Sequence, residues 1–225
     1  MITIFVFLIV LGNLLYLHGK PSPILYSFPA NPEVQQKYVA LTFDDGPHGV
    51  LTPLLLDKLN VTNTKVTFFV MGIKVVIHPD IVKRAVQEGH EIGNHVWDHP
   101  VLTKIPWEQT YNQIEKTSSA VFNATGYTPK VMRPPYGNTN RGLNNRIYSE
   151  TKLPVVMWSL DTLDWTRPAP KDILKKVISK VKPGTIILCH DIHPGTIETI
   201  PRIVEQLSQQ GYVFKTISQL IELSQ

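Results

Sequence analysis

The chain has almost no cysteine: of its 225 residues only Cys189 carries a thiol. One thiol excludes an intrachain disulfide framework and any zinc site built on several cysteines, so a metal bound here must rest on His and Asp. Charge is sparse as well. Charged side chains make up 18 % of the chain and apolar ones 43 %, a balance that excludes a disordered chain. The 22 basic and 18 acidic residues leave a net charge of +4, too mild and too dispersed to argue nucleic-acid binding. Internal repeats and low-complexity tracts are missing too. At this length the chain has room for one full core, but not for two ordinary catalytic domains.

The first charged side chain is Lys20. Before it, Ile2 to Leu17 form an apolar run broken only by Thr3, Gly12 and Asn13. The run falls short of the roughly 20 residues that span a bilayer comfortably, and it suits the apolar core of a secretory signal. No Lys or Arg precedes it and no clear small-x-small cleavage site follows, so an uncleaved signal anchor stays open. Pro21, Pro23, Pro29 and Pro32 then crowd a stretch that reads as a semi-extended linker. The expected organisation is a signal or anchor over 1–19, a linker over 20–36 and one domain over 37–225. The exported domain would be secreted, or tethered to the outer face of the membrane.

From Tyr38 the pattern becomes short apolar strands alternating with amphipathic helical stretches. Strands are expected at Tyr38–Phe43, Val66–Val70, His90–Asn94, Val131–Arg133, Val155–Leu160, Ile186–Cys189 and Val213–Lys215. Helices are expected from Thr52, as N-cap before Pro53, to about Leu59, over Pro79–Glu88, from Pro106 to near Ala124, and over Asn140–Glu150, Lys171–Val181, Ile197–Gln210 and Ile217–Leu223. About seven strand–helix units imply an α/β fold with a parallel sheet and right-handed crossovers. That number points to a distorted (β/α) barrel, TIM-like, with an open doubly wound sheet as the alternative.

The unusual polar residues fall just past the carboxyl ends of these strands, on the rim where such folds build active sites. Asp44-Asp45 follow the first strand, His95 and His99 the third, and Arg133 and Tyr136 end the fourth. Asp161, Asp164 and Trp165 follow the fifth, and His190-Asp191 end the sixth. Residues four apart share one face of a helical turn, so His95 and His99 can reach one ion. With Asp45 they offer two imidazoles and a carboxylate and leave positions open for water, as catalytic zinc sites do. The same set suits non-haem iron. A second carboxylate, Asp44, and a further histidine, His190, supply a base and an acid, which favours hydrolysis. Cys189 reads as a small apolar residue inside its strand.

Five separated stretches in this order resemble the polysaccharide deacetylases of carbohydrate esterase family 4. They are Thr42-Phe43-Asp44-Asp45-Gly46-Pro47, His95-x-x-x-His99-Pro100, Arg133-Pro134-Pro135-Tyr136-Gly137, Asp161-x-x-Asp164-Trp165 and Leu188-Cys189-His190. The resemblance implies a distorted barrel, a divalent ion (commonly Zn2+, with Co2+ or others possible) and hydrolysis of the acetamide on N-acetylated sugars, less often of acetyl esters. It makes Asp44 the base and Asp45, His95 and His99 the metal ligands. It pairs Arg133 with the base, lets Asp164 tune His190 as the acid, gives the Tyr136 N–H to the oxyanion and lines an acetyl pocket with Trp165 and Leu188. One residue departs from the family pattern: Val96 stands where Ser or Thr usually follows the first histidine. The expected partner is an N-acetylated polysaccharide, peptidoglycan before chitin oligomers or acetylxylan, with no nucleic acid and a monomeric state. The competing class is a carbohydrate-binding pseudoenzyme.

Overall fold

The computed structural model describes residues 24–28 and 36–224. The expected signal or anchor over 1–19 and most of the 20–36 stretch lie outside them. Residues 24–28 do not behave as linker. β1 (Ile24–Leu25) pairs in parallel with β5 (Val155–Val156), and Leu25 and Phe28 are buried. Proline crowding hides this strand in the sequence, because its apolar residues number only a few between prolines.

β2 (Lys37–Gly46) is the spine of the molecule. It pairs with β3 (Thr67–Val70) on one side and β7 (Ile186–His190) on the other, and its first residues add β8 (Tyr212–Phe214). Val39, Ala40, Leu41 and Phe43 are fully buried because parallel strands are covered on both faces. The valine, leucine and phenylalanine side chains contribute roughly 1.5–3 kcal/mol of burial each, and the alanine less. β3 pairs with β4 (Glu91–Asn94), and β7 pairs with β6 (Leu160–Asp161). Every one of these strand pairs is parallel.

Past β4 the ring continues through one residue. Met132 bridges Asn94 on one side and Val155 on the other, both in parallel. The chain then runs from β5 straight into β6, which returns to β7. The result is the distorted barrel expected, regular around β2 and irregular opposite it. Two expected strands are reduced there. Val131–Arg133 contributes only the Met132 bridge, and Val155–Leu160 is split into β5 and β6. Pro134 and Pro135 remove the N–H groups that would extend the first ladder. Arg133 also draws the carbonyls of Val156 and Met157 inward.

Helices cover the outside: α1 (Leu51–Val61), α2 (Gly72–Ile77), α3 (Pro79–Gln87), α4 (Trp107–Thr125), α5 (Arg141–Thr151), α6 (Pro170–Lys180), α7 (Pro194–Gln209) and α8 (Ile217–Leu223). Thr52 does not cap α1 as expected. The helix starts one residue earlier, and His48 Nδ1 accepts from the N–H groups of Val50 and Leu51 at 3.1 Å each. α2 was not foreseen, since its run of Ile and Val has no polar face to reveal a period. Gly126 closes α4 in the left-handed conformation at φ 73°. Among the described residues no helix is long and apolar enough to cross a membrane.

Candidate active site

Because all the paired strands are parallel, their carboxyl ends share one rim, and each segment singled out above delivers its polar groups there. At the end of β2 the register shifts between Asp44 and Gly46, and Asp45 adopts a left-handed φ of 70°. Asp44 stays in the ladder, opposite His190 of β7. The kink is what lets two consecutive carboxylates leave the backbone in different directions. Lys74 of α2 holds it, donating from Nζ to the Asp45 carbonyl at 2.7 Å.

Asp45 Oδ1 lies 3.4 Å from His95 Nε2 and 3.2 Å from His99 Nε2. It is buried and has no hydrogen-bond partner among the described residues. His95 Nδ1 donates to the Arg133 carbonyl at 2.7 Å, which leaves the Nε2 lone pair directed at Asp45. One ligand atom from each of the three residues falls within 4.8 Å of the others. An orphaned buried carboxylate oxygen facing two imidazole nitrogens fits a divalent cation, and the N/O donor set suits zinc-like ions. Burial favours the neutral Asp45, but the two imidazoles outweigh it and hold the carboxyl far below its ordinary range.

The helical reading of His95 and His99 was wrong. Residues 95–99 form a loop in which Val96 (φ 58°) and His99 (φ 68°) are both left-handed. Side chains replace the helical carbonyls: Asn94 Oδ1 accepts from Val96 N, and Gln113 Oε1 accepts from Trp97 N and Asp98 N. Val96 itself is fully buried, in an apolar cluster with Leu102, Ile114 and Met132. The loop is therefore anchored without a hydroxyl at position 96.

Arg133 is fully buried. Its Nη1 donates to Asp44 Oδ1 at 2.7 Å and to Thr42 Oγ1 at 2.8 Å. Nε reaches the Val156 carbonyl at 3.0 Å and Nη2 the Met157 carbonyl at 2.9 Å. The guanidinium stacks between Phe69, 4.1 Å from the ring centroid, and Trp158, at 5.6 Å. A buried ion pair repays its desolvation only when its remaining groups are satisfied, and here they are. Burial lowers the Arg133 pKa, and Asp44 opposes that shift.

On the other side of Asp44 stands a second pair. His190 Nδ1 donates to Asp164 Oδ1 at 2.7 Å, while Asp164 Oδ2 accepts from the His190 backbone N–H and from Thr196 Oγ1, each at 2.7 Å. Burial disfavours the imidazolium. The bond to Asp164, its charge, and the charges of Asp44 and Asp45 outweigh that and raise the His190 pKa to about 9.

The remaining candidates sit at the edges. The Tyr136 ring packs on His99 at 4.4 Å, at a left-handed turn with φ 59°. Leu188 is buried in β7 opposite Thr42. Trp165 is 54 % exposed and, among the described residues, makes no hydrogen bond or ring contact with the others. Asp161 braces its own turn by accepting from Leu163 N.

Three residues have roles here that the sequence reading did not give them. Thr42 shares the strand face of Asp44, and the period of two could have found it. Thr196 could not be found, since only the folded chain brings α7 to Asp164. Asp191 follows His190 and is buried. Its Oδ2 accepts from Thr52 Oγ1, and its Oδ1 has no partner among the described residues. Burial pushes its pKa up to about 7 against the Thr52 bond. Gly46 is required there: a Cβ would stand 2.3 Å from Asp191 Oδ2.

A family model described as "Polysaccharide deacetylase" matches residues 31–156. The peptidoglycan-N-acetylglucosamine deacetylase PgdA of Listeria monocytogenes is 46 % identical over 193 residues, covering 84 % of this chain and 41 % of the relative. The peptidoglycan-N-acetylmuramic acid deacetylase PdaC of Bacillus subtilis is 37 % identical over 206 residues, covering 91 % and 43 %. The chain thus spans about two fifths of the length of these curated relatives. Among solved structures, the Bc1960 peptidoglycan N-acetylglucosamine deacetylase superposes with a TM-score of 0.82 at 37 % identity, covering 88 % of this chain and 92 % of the other. BA3943 of Bacillus anthracis, described as a family pseudoenzyme, superposes with a TM-score of 0.81 at 30 % identity, covering 88 % and 69 %.

Proposed function

The chain belongs to the polysaccharide deacetylase family, and from that premise we propose that it is a divalent-metal-dependent hydrolase that removes N-acetyl groups from the N-acetylglucosamine residues of peptidoglycan. The observation that carries this reading is the unpartnered, buried Asp45 Oδ1 facing His95 and His99, flanked by a carboxylate on one side and an aspartate-bound histidine on the other. A pseudoenzyme that kept only the barrel would have no use for both flanks. Asp45, His95 and His99 would hold the ion, zinc before cobalt.

A divalent ion held there would supply Lewis acidity to the acyl oxygen and to water. Asp44 takes a proton from the attacking water as its oxygen bonds to the acetyl carbon. Arg133 pairs with Asp44 and fixes Oδ1, leaving Oδ2 for that proton. The backbone N–H of Tyr136 receives the developing oxyanion, a contribution of about 3 kcal/mol for one such donor. The C–N bond then breaks, and His190, charged through its bond to Asp164, gives its proton to the departing nitrogen. Acetate and the free amine of the sugar are the products. Trp165 and Leu188 line the acetyl-binding side.

The protein acts as a monomer in the cell envelope, secreted or held on the outer face of the cytoplasmic membrane by residues 1–19. The test is acetate release from peptidoglycan, chitin oligomers and acetylxylan by native, chelator-treated and zinc-restored protein. Peptidoglycan is expected to give the largest release, abolished by the chelator and recovered with zinc. Absence of release from all three by the zinc-restored protein would overturn the reading.

A further inference from the structure

Behind the Asp164–His190 pair opens a cleft of about 320 Å³. Asp164, Arg167, Ile173, Ile192, His193 and the start of α7 line it. It is separate from the metal centre but close to the reaction, since the rings of His193 and His190 are 5.8 Å apart. The turn between the two spaces is rigid. Leu163 and Arg167, at its two ends, are both left-handed at φ 58°, and Arg167 N donates to the Asp164 carbonyl at 2.8 Å. Trp165 stands exposed on the same turn.

The polar groups of this cleft are unequal in a telling way. Asp164 is its one carboxylate, and both oxygens are already committed to His190 and Thr196. Arg167, by contrast, is exposed and makes no side-chain hydrogen bond or ion pair among the described residues. α7 opens beside it without an acidic residue in its first turn and without a side-chain cap, which adds positive potential to that of Arg167. The charged group that remains unpaired is therefore cationic, beside the apolar Ile173 and Ile192. That combination suits a short carboxylate borne on a hydrocarbon arm.

We propose that this cleft is an accessory subsite for a carboxylate-bearing substituent on a sugar neighbouring the one whose acetamide is hydrolysed, with Arg167 as the counter-ion. It rests on the reading of the chain as a peptidoglycan deacetylase and deepens it, because the lactyl ethers of that polymer carry such a group on alternate sugars wherever the peptide stem is absent. Arg167 selects acidic glycans over neutral ones without entering the chemistry. A planar guanidinium can take a carboxylate through two parallel bonds, which Lys cannot.

The test compares binding to zinc-loaded protein of two tetrasaccharides of alternating N-acetylglucosamine and N-acetylmuramic acid, one with free carboxylates and one with the same carboxylates as methyl esters. The free acid is expected to bind about tenfold more tightly, the scale of one charge-assisted pair. Arg167→Ala should erase that preference while leaving the ester's affinity unchanged, and Arg167→Lys should restore part of it. Equal affinity of acid and ester for the native protein, or a preference that survives Arg167→Ala, overturns the proposal. Acetate release from chitotetraose is measured separately. Its failure would count against the proposed activity, while the binding comparison would still judge the subsite.

Discussion

Left-handed backbone occurs at both ends of the barrel, but different residues carry it. Where helices return to strands, the positions are mostly glycine: Gly89, Gly126, Gly184 and Gly211, with φ between 73° and 83°. On the opposite rim, beside Gly137, they are Asp45, Val96, His99, Tyr136, Leu163 and Arg167, all of which adopt that region less readily than glycine. Such positions cost on the order of 1–3 kcal/mol each and persist only where surrounding structure over-determines them. Glycine would relieve the strain at Asp45 and His99 and delete a ligand atom of the proposed metal site. The same contrast separates two carboxylates, one buried and one half-buried. Glu91, at the returning end, is saturated by Thr67 Oγ1, Ser218 N and Ser218 Oγ, and thereby docks α8. Asp45, on the rim, keeps an oxygen without a partner. Glu91 thus holds the fold, whereas Asp45 keeps an oxygen available to a ligand.

The largest effect that would sharpen this contrast comes from the rim. Asp44→Asn keeps the shape of the side chain and the metal ligands but removes the base. It is expected to retain bound metal while kcat falls at least about a hundredfold, the lower end of the scale for general-base loss. Metal analysis and acetate release on one sample decide it. Turnover close to the native protein would take the base assignment away from Asp44.

A smaller effect concerns Asp164. It is the main cause raising the His190 pKa from 6.5 to about 9, so in the native fold the imidazolium persists until pH rises through that value. The stability gained from the pair is fully present below the unfolded pKa of about 6.5 and is lost as pH climbs towards 9. Asp164→Asn should therefore shift the basic limb of the kcat/KM profile to lower pH, with variant and native protein compared in the same metal state. An unmoved basic limb would separate His190's proton from Asp164.

How much of this was readable before folding follows from the same division. The alternation of strands and helices, and the placing of Asp44, His95, Arg133, Asp164 and His190 on one rim, depend on local pattern and chain order. α8 falls where expected, at Ile217–Leu223. The misses have physical causes. A spacing of four between His95 and His99 mimics a helix, because nothing in Val96 announces a left-handed turn. α2 is too apolar to show a period. Ile24–Leu25 is too short to rise above its prolines. Thr196 and the Thr52–Asp191 bond come from segments distant in sequence, so only packing reveals them. Strained non-glycine backbone is invisible for the same reason: it is imposed by neighbours such as Asn94, Gln113 and Lys74 rather than by the residue that bears it.

The smallest effect tests the returning end. Gly126 follows α4 at φ 73°, and a Cβ there would meet nothing within 4 Å. Gly126→Ala therefore adds no clash and isolates the backbone penalty of a left-handed residue, about 1 kcal/mol. Denaturant unfolding should show a loss of that order, with kcat/KM unchanged because Gly126 touches none of the rim. An unfolding loss of zero would mean that left-handed positions at this end are as freely borne by L-residues as those on the rim. A loss in kcat/KM at full stability would mean that the two ends are not independent, and that the strain on the rim is balanced partly by the glycines beneath it.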